Sequence, residues 1–202
     1  MIVGLTGGIA TGKSTVTNML RELDAYVVDA DEWARRVVEP GAEALTEIAQ
    51  EFGETVLNPD GTLNRAALGE VVFTDVSARQ RLNAITHPRI RNGMLQETME
   101  FVKSSPNMPI VWDVPLLFEG ETKNLVDLTV LVYATPQLQL TRLMERNGYS
   151  LKEAKARIAA QMPIDEKRQF ADYIIDNSGT QSETKEQVQK LWTTLLDRAR
   201  QG

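Results

Sequence analysis

The octapeptide Gly7-Gly8-Ile9-Ala10-Thr11-Gly12-Lys13-Ser14 restricts the fold more than any other stretch of the chain. It has the form G-x-x-x-x-G-K-[ST], a loop whose backbone amides cradle phosphate and which is built between a strand and a helix. Both flanks are present. Ile2-Val3-Gly4-Leu5 is a short apolar run that reads as a buried strand, and Val16, Met19, Leu20 and Leu23 recur at helical spacing. Glycine admits backbone angles that a side chain forbids, so successive N–H groups can turn inward. The helix that starts near Lys13 adds its positive N-terminal end. Lys13 is then the cation for the β- and γ-phosphates, and the Ser14 hydroxyl is a ligand for Mg²⁺. The competing reading is a chance glycine turn before a helix.

The remaining pattern is that of an α/β fold. Apolar runs at Tyr26–Asp29, Pro109–Val114, Asp127–Tyr133 and Asp172–Asp176 read as strands, with amphipathic helical stretches between them. Such alternation predicts a parallel sheet covered by helices on both faces. The region 32–103 is helix without strands and reads as an insertion. It includes a boundary at His87-Pro88, because a residue before proline avoids helical angles. Gly148 interrupts the helix that carries Leu138, Leu140, Leu143 and Met144, and Pro163 ends a charged segment over 150–161. The excursion 141–164 reads as a small lid. The expected division is therefore a core of 1–31, 104–140 and 165–202, an insertion of 32–103 and a lid of 141–164.

Composition excludes more than it selects. In 202 residues the net charge is −6 and no long basic run occurs, which argues against nucleic-acid and anionic-membrane partners. There are no cysteines, so disulfides and thiolate metal sites are ruled out. No apolar run is long enough to span a bilayer, and the N-terminus opens directly into the first strand rather than a leader. A soluble, cytoplasmic protein is expected.

Several residues outside the loop carry chemistry. Asp29 and Asp31 follow the second strand, at the strand end beyond which open parallel sheets bind ligands. A carboxylate there either takes a proton from an attacking hydroxyl, holds Mg²⁺, or simply caps the next helix, for which Asp31 is the expected N-cap. Asp113 ends the run Ile110-Val111-Trp112 and is a second, weaker metal candidate. Arg142 and Arg146 share a helix face, as do Arg157 and Gln161, either as a solvated face or as a lid whose arginines lie over a phosphate. His87 is the only histidine and cannot build a metal site alone. Arg65 pairs with an anionic ligand or with a nearby acid.

With these pieces placed, the chain resembles the dephospho-CoA kinase family nearly end to end. The resemblance runs through Gly-Leu-Thr-Gly-Gly-Ile-x-x-Gly-Lys-Ser at 4–14, Asp-Ala-Asp-x-x-Ala-Arg at 29–35 and Leu-Asn-Arg at 63–65. It continues through His-Pro at 87–88, Val-Pro-Leu-Leu-Phe-Glu at 114–119 and Ala-Asp-Tyr-Ile-Ile-Asp-Asn at 171–177. It implies a P-loop NTPase-like parallel sheet with a helical CoA-binding insertion and a small helical lid. It implies transfer of the ATP γ-phosphoryl group to the 3′-hydroxyl of the dephospho-CoA ribose. Carried over by position, Asp31, Lys13 and Arg142 are the catalytic residues, with Asp31 as base. Gly8, Ala10, Thr11, Gly12, Lys13, Ser14, Thr15, Arg142 and Asn177 bind ATP. Asp31, Arg65, His87 and Leu116 face the dephospho-CoA acceptor, and Ser14 and Asp31 hold Mg²⁺, with Asp113 as the lesser candidate. A monomer is the expected state. Two departures are visible: Ala10 stands where the family often has glycine, and its methyl is tolerated if the backbone angle there is ordinary; Asp113 stands at a position that varies in the family, which weakens a metal role for it.

Two other readings share the loop. A kinase for nucleosides or nucleoside monophosphates would have the same fold, and only the acceptor region would tell it apart. A nucleotide-dependent switch would need no acceptor, and the chain has no guanine-reading Asn-Lys-x-Asp stretch.

Overall fold

In a computed structural model that describes residues 1–201, the described residues divide into two units, 1–28 with 101–201 and 29–100. The first unit is built on a five-stranded sheet of β1 (Ile2–Gly7), β2 (Tyr26–Asp29), β3 (Ile110–Asp113), β4 (Leu128–Tyr133) and β5 (Tyr173–Asp176). The strand order is β2-β3-β1-β4-β5, and the pairs β1–β3, β1–β4 and β4–β5 are parallel. β1 is thus central, with Leu5 opposite Asp113 on one side and Val130 on the other. Its carboxyl end opens where the connections diverge, the place where such sheets bind ligands.

The strands are legible as apolar runs because both faces of the sheet are buried. On one face Val3, Leu5, Val111, Val130, Val132 and Ile175 pack with Val16 and Leu20 of α1 (Lys13–Arg21) and with Val188, Leu191, Trp192 and Leu195 of α9 (Gln181–Gln201). Residues of the other parity, Ile110, Trp112 and Leu131, are equally buried. Three strands start one residue later than the apolar pattern suggests, and at two of them the displaced residue is an acid. The Asp127 carboxylate accepts the Ile2 N–H at 2.6 Å, and the Asp172 carboxylate accepts the Thr129 N–H at 2.8 Å, so each acid's side chain ties a neighbouring strand.

The excursion expected over 141–164 falls on three helices, α6 (Pro136–Asn147), α7 (Leu151–Ala159) and the start of α8 (Ile164–Lys167). Thr135 caps α6, with Pro136 in the first turn where a missing N–H costs nothing. Ser150 and Glu153 form a reciprocal capping box on α7. α7 ends at Ala159, so Gln161 lies beyond it and does not share the helical face of Arg157 that the spacing suggests.

In the second unit, α2 (Ala30–Arg36) begins earlier than expected, and its cap is Asp29 rather than Asp31. Asp29 keeps an extended backbone while its Oδ1 accepts the N–H groups of Asp31 at 2.8 Å and Glu32 at 3.1 Å. Asp31 therefore sits in the first turn. Next come α3 (Glu43–Phe52), α4 (Arg65–Thr74) and α5 (Val76–Ser104), around a core of Val38, Ile48, Val56 and Leu68. α5 runs through Pro88, where the sequence predicts a boundary. The proline removes the N–H that would reach the Ala84 carbonyl. Beside it Arg89 donates to the Ile85 carbonyl at 2.8 Å and to Glu47 at 2.8 Å. Gly93 allows the Trp33 indole to lie directly on α5, where any Cβ would collide with the ring, and Trp33 Nε1 donates to Glu97 at 2.6 Å.

Candidate active site

The loop after β1 is held open by its own geometry and by side chains from around it. Gly12 is the N-cap of α1 at φ +87°, a left-handed angle, and no side chain caps the helix there. The Thr15 N–H turns back to the Gly12 carbonyl at 3.0 Å, and the N–H groups of Lys13 and Ser14 are left to a ligand. A Cβ on Gly12 would collide with the Asn177 amide, so glycine is required on both counts. Ala10 has φ +61°, so its backbone angle is not ordinary; an alanine held left-handed carries a strain of about 1–2 kcal/mol. Ala10→Gly removes that strain but makes the unfolded chain more flexible by about 0.4–1 kcal/mol. We therefore expect a net gain of up to about 1 kcal/mol, read as a melting temperature higher by about 1–3 °C. A lower melting temperature would contradict the left-handed assignment.

Lys13 Nζ pairs with Asp113 Oδ1 at the end of β3, and the Thr17 hydroxyl donates to Asp113 Oδ2 at 2.7 Å. Both oxygens of this buried carboxylate are committed. Asn177, also buried, is fully used as a brace. Its Nδ2 donates to the Thr11 carbonyl at 2.8 Å, its Oδ1 accepts the Thr184 hydroxyl at 2.8 Å, and its carbonyl accepts Arg142 Nη2 at 2.9 Å. The Thr11 hydroxyl closes the loop on the Gly8 carbonyl at 2.9 Å.

An open cleft of about 720 Å³ lies over these residues, lined by Ala10, Gly12, Ser14, Thr15, Arg142, Arg146 and Asn177 among others, all of the first unit. Arg142 Nη1 is buried and has no acceptor in the protein, although Nη2 of the same guanidinium has one. An unpaired buried donor on a cation fits an anionic ligand. Ser14 and Thr15 are exposed to the cleft, which suits hydroxyls that meet solvent or ligand. Nearby, burial raises the pKa of the Tyr133 phenol, and its hydrogen bond to Asp165 at 3.1 Å acts in the same direction.

The structure thus brings together Gly8, Ala10, Thr11, Gly12, Lys13, Ser14, Thr15, Asp113, Arg142 and Asn177 in one unit. Leu116 is exposed on the loop after β3. Asp31, Arg65 and His87 belong to the second unit, each exposed: Asp31 in the first turn of α2, Arg65 opening α4 after its cap Asn64, and His87 beside Pro88 in α5. Arg157 stacks on the Tyr149 ring at 4.3 Å, and Arg146 bonds Asn147 at 2.8 Å.

Further polar residues brace the phosphate loop from outside its motif. Lys167, wholly buried, reaches the Gly7 carbonyl at 3.3 Å and Glu119 at 2.8 Å. Gln139 and Gln161 both bond the backbone of Ile9. The only hint of Gln139 in the sequence is its place one turn before Arg142. Among the described residues no group of three or more His, Cys, Asp or Glu is arranged to hold a metal ion. Among the described residues, too, no helix is long and apolar enough to cross a membrane.

Comparison with known proteins agrees with this arrangement. Residues 1–183 match the family model described as dephospho-CoA kinase. The dephospho-CoA kinase of Listeria innocua is 48% identical over 186 residues, covering 92% of each chain. That of Geobacillus kaustophilus is 48% identical over 198 residues, covering 96% of this chain and 98% of its own. The solved structure of dephospho-CoA kinase from Campylobacter jejuni superposes with a TM-score of 0.75 at 31% identity over 98% of both chains. A phosphate loop with an uncapped helix behind it, a lysine–aspartate pair at the sheet's open end and relatedness along nearly the whole chain lead to one assignment: the protein belongs to the dephospho-CoA kinase family.

Proposed function

We propose that the protein transfers the γ-phosphoryl group of ATP to the 3′-hydroxyl of the dephospho-CoA ribose, giving CoA and ADP, the last step of coenzyme A biosynthesis. The observation that carries this reading is the family match over residues 1–183. The phosphate loop and the unpaired Arg142 donor support it.

In this reading the ribose oxygen attacks the γ-phosphorus, the bond to the bridging oxygen breaks, and ADP leaves. The Asp31 carboxylate takes the hydroxyl proton and passes it to water. The loop amides, Lys13 and Arg142 neutralise the charge on the phosphates, since phosphoryl transfer depends on positioning and electrostatics more than on covalent help. Lys13 exchanges its carboxylate partner Asp113 for phosphate oxygens. Thr11 and Thr15 shape the loop, and Asn177 braces its adenine side. Arg65, His87 and Leu116 serve the acceptor, with 32–103 as the acceptor-binding insertion and 141–164 as the lid that excludes water.

Mg²⁺ suits the donors present. It takes hard oxygen ligands and commonly only one or two carboxylates, the rest coming from phosphates and water. Ser14 and Asp31 would hold it, and Asp113 once Lys13 has released its Oδ1. Its contribution there is to offset charge on the β- and γ-phosphates.

The test is ADP release with dephospho-CoA set against adenosine, AMP and pantetheine phosphate, with the phosphate located on the product by ³¹P NMR. Turnover that requires dephospho-CoA and a 3′-phosphomonoester is expected. Preference for a nucleoside or AMP, or ATP hydrolysis indifferent to any acceptor, would overturn it.

A further inference from the structure

The Ile9 backbone is gripped at both ends by side chains. Its N–H donates to Gln161 Oε1 at 2.9 Å, and its carbonyl accepts Gln139 Nε2 at 2.7 Å. One glutamine comes from α6 and the other from just past the end of α7. The Ile9 carbonyl belongs to the peptide that leads into Ala10, the left-handed residue. Turning that peptide would change the Ala10 φ angle and break the Gln139 bond together. Gln139 also lies directly on the loop, since a Cβ on Gly8 would come within 2.6 Å of its Nε2. A non-glycine residue keeps such an angle only where its surroundings over-determine it.

We propose that Gln139 and Gln161 are positioning residues: Gln139 fixes the Ile9–Ala10 peptide and Gln161 the Gly8–Ile9 peptide before it, and together they keep Ala10 left-handed and so hold the loop amides in their phosphate-binding arrangement. Gln139 is only 2% exposed, yet its Oε1 has no partner. A side chain needed only to fill space would do better without that buried oxygen. The inference rests on the phosphate-loop reading above.

The experiment is a double-mutant cycle. Gln139→Met and, separately, Gln161→Met are placed in the natural chain and in Ala10→Gly, and each is compared with its own parent. In the natural chain, the ATP KM is expected to rise about tenfold for either substitution, with kcat within about threefold. In the Ala10→Gly background the rise is expected to stay under about threefold, because glycine adopts the left-handed angle without the steric penalty that the clamp offsets in alanine. The melting temperature should change by less than about 4 °C for Gln139→Met, which also removes an unpaired oxygen. Equal increases of KM in the two backgrounds would overturn the inference, as would an unchanged KM in both. Additive losses in an active enzyme overturn the clamp alone, whereas a natural chain that binds no ATP overturns the phosphate-loop reading with it. Gln161 is only half-buried, so its variant stands as the second arm if Gln139→Met does not fold.

Discussion

Asp31→Asn is expected to lower kcat by about 10²- to 10⁴-fold, the contribution of a positioned general base. The substitution preserves size and one acceptor oxygen but removes the ability to take a proton at neutral pH. If the transition state is loose, the attacking hydroxyl has lost little of its proton and the effect falls at the lower end of that range. The ATP KM should stay within roughly threefold, because the loop amides, Lys13 and Arg142 are untouched. Asp31 lies in the first turn of α2, where a negative charge meets the helix dipole. Losing it should cost no more than about 0.3–1 kcal/mol of stability, so thermal melts will separate lost chemistry from lost fold. Mg²⁺ titration separates the two roles assigned to this carboxylate. A rate restored by raised Mg²⁺ would assign Asp31 to metal binding; a deficit that persists at saturating Mg²⁺ supports the base. A near-normal kcat would remove it from both.

How much of this was legible beforehand depended on whether the signal is local. The phosphate loop is readable because its glycines, lysine and serine sit at fixed spacing, and the strands because burial on both faces writes itself as apolar runs. Local chemistry misleads where tertiary partners intervene. Pro88 predicts a helix end, but Arg89 bonding to Ile85 and Glu47 supports the turn that the proline weakens. Asp29 and Asp31 are both able to cap α2, and only the backbone angle at Asp29 selects the first. Ala10 reads as a harmless replacement for glycine until its φ is known. Gln139 and Lys167 carry no motif at all, and Gln161 reads from the sequence only as a face-mate of Arg157, not as a brace on Ile9. Each is a polar residue on a helix or beside one, with a pattern that fits an exposed face, and its role exists only because another segment folds over it.

Lys167 leads to the second large effect. Its ammonium is wholly buried, with Glu119 at 2.8 Å and the Gly7 carbonyl at 3.3 Å as its acceptors. Glu119→Ala leaves that cation with a single weak acceptor, and a buried charge without its counter-ion is costly. Breaking a buried pair from one side typically loses about 3–5 kcal/mol. The Glu119 side chain keeps 23% of its surface exposed, so water can partly replace it and the lower end applies, about 3 kcal/mol. For a chain of this length that is a fall in melting temperature of about 6–12 °C. Lys167→Met works in the other direction. It removes the buried charge, fills similar volume with apolar atoms, and leaves behind a carboxylate that water can reach. Its expected cost is under about 1.5 kcal/mol. The two together should be more stable than Glu119→Ala alone, because the uncompensated ammonium is then gone. Urea and thermal unfolding of the three variants will check this ordering. If Lys167→Met proves as damaging as Glu119→Ala, the lysine is held mainly by its bond to Gly7, and the phosphate loop is anchored from the end of α8 rather than through Glu119.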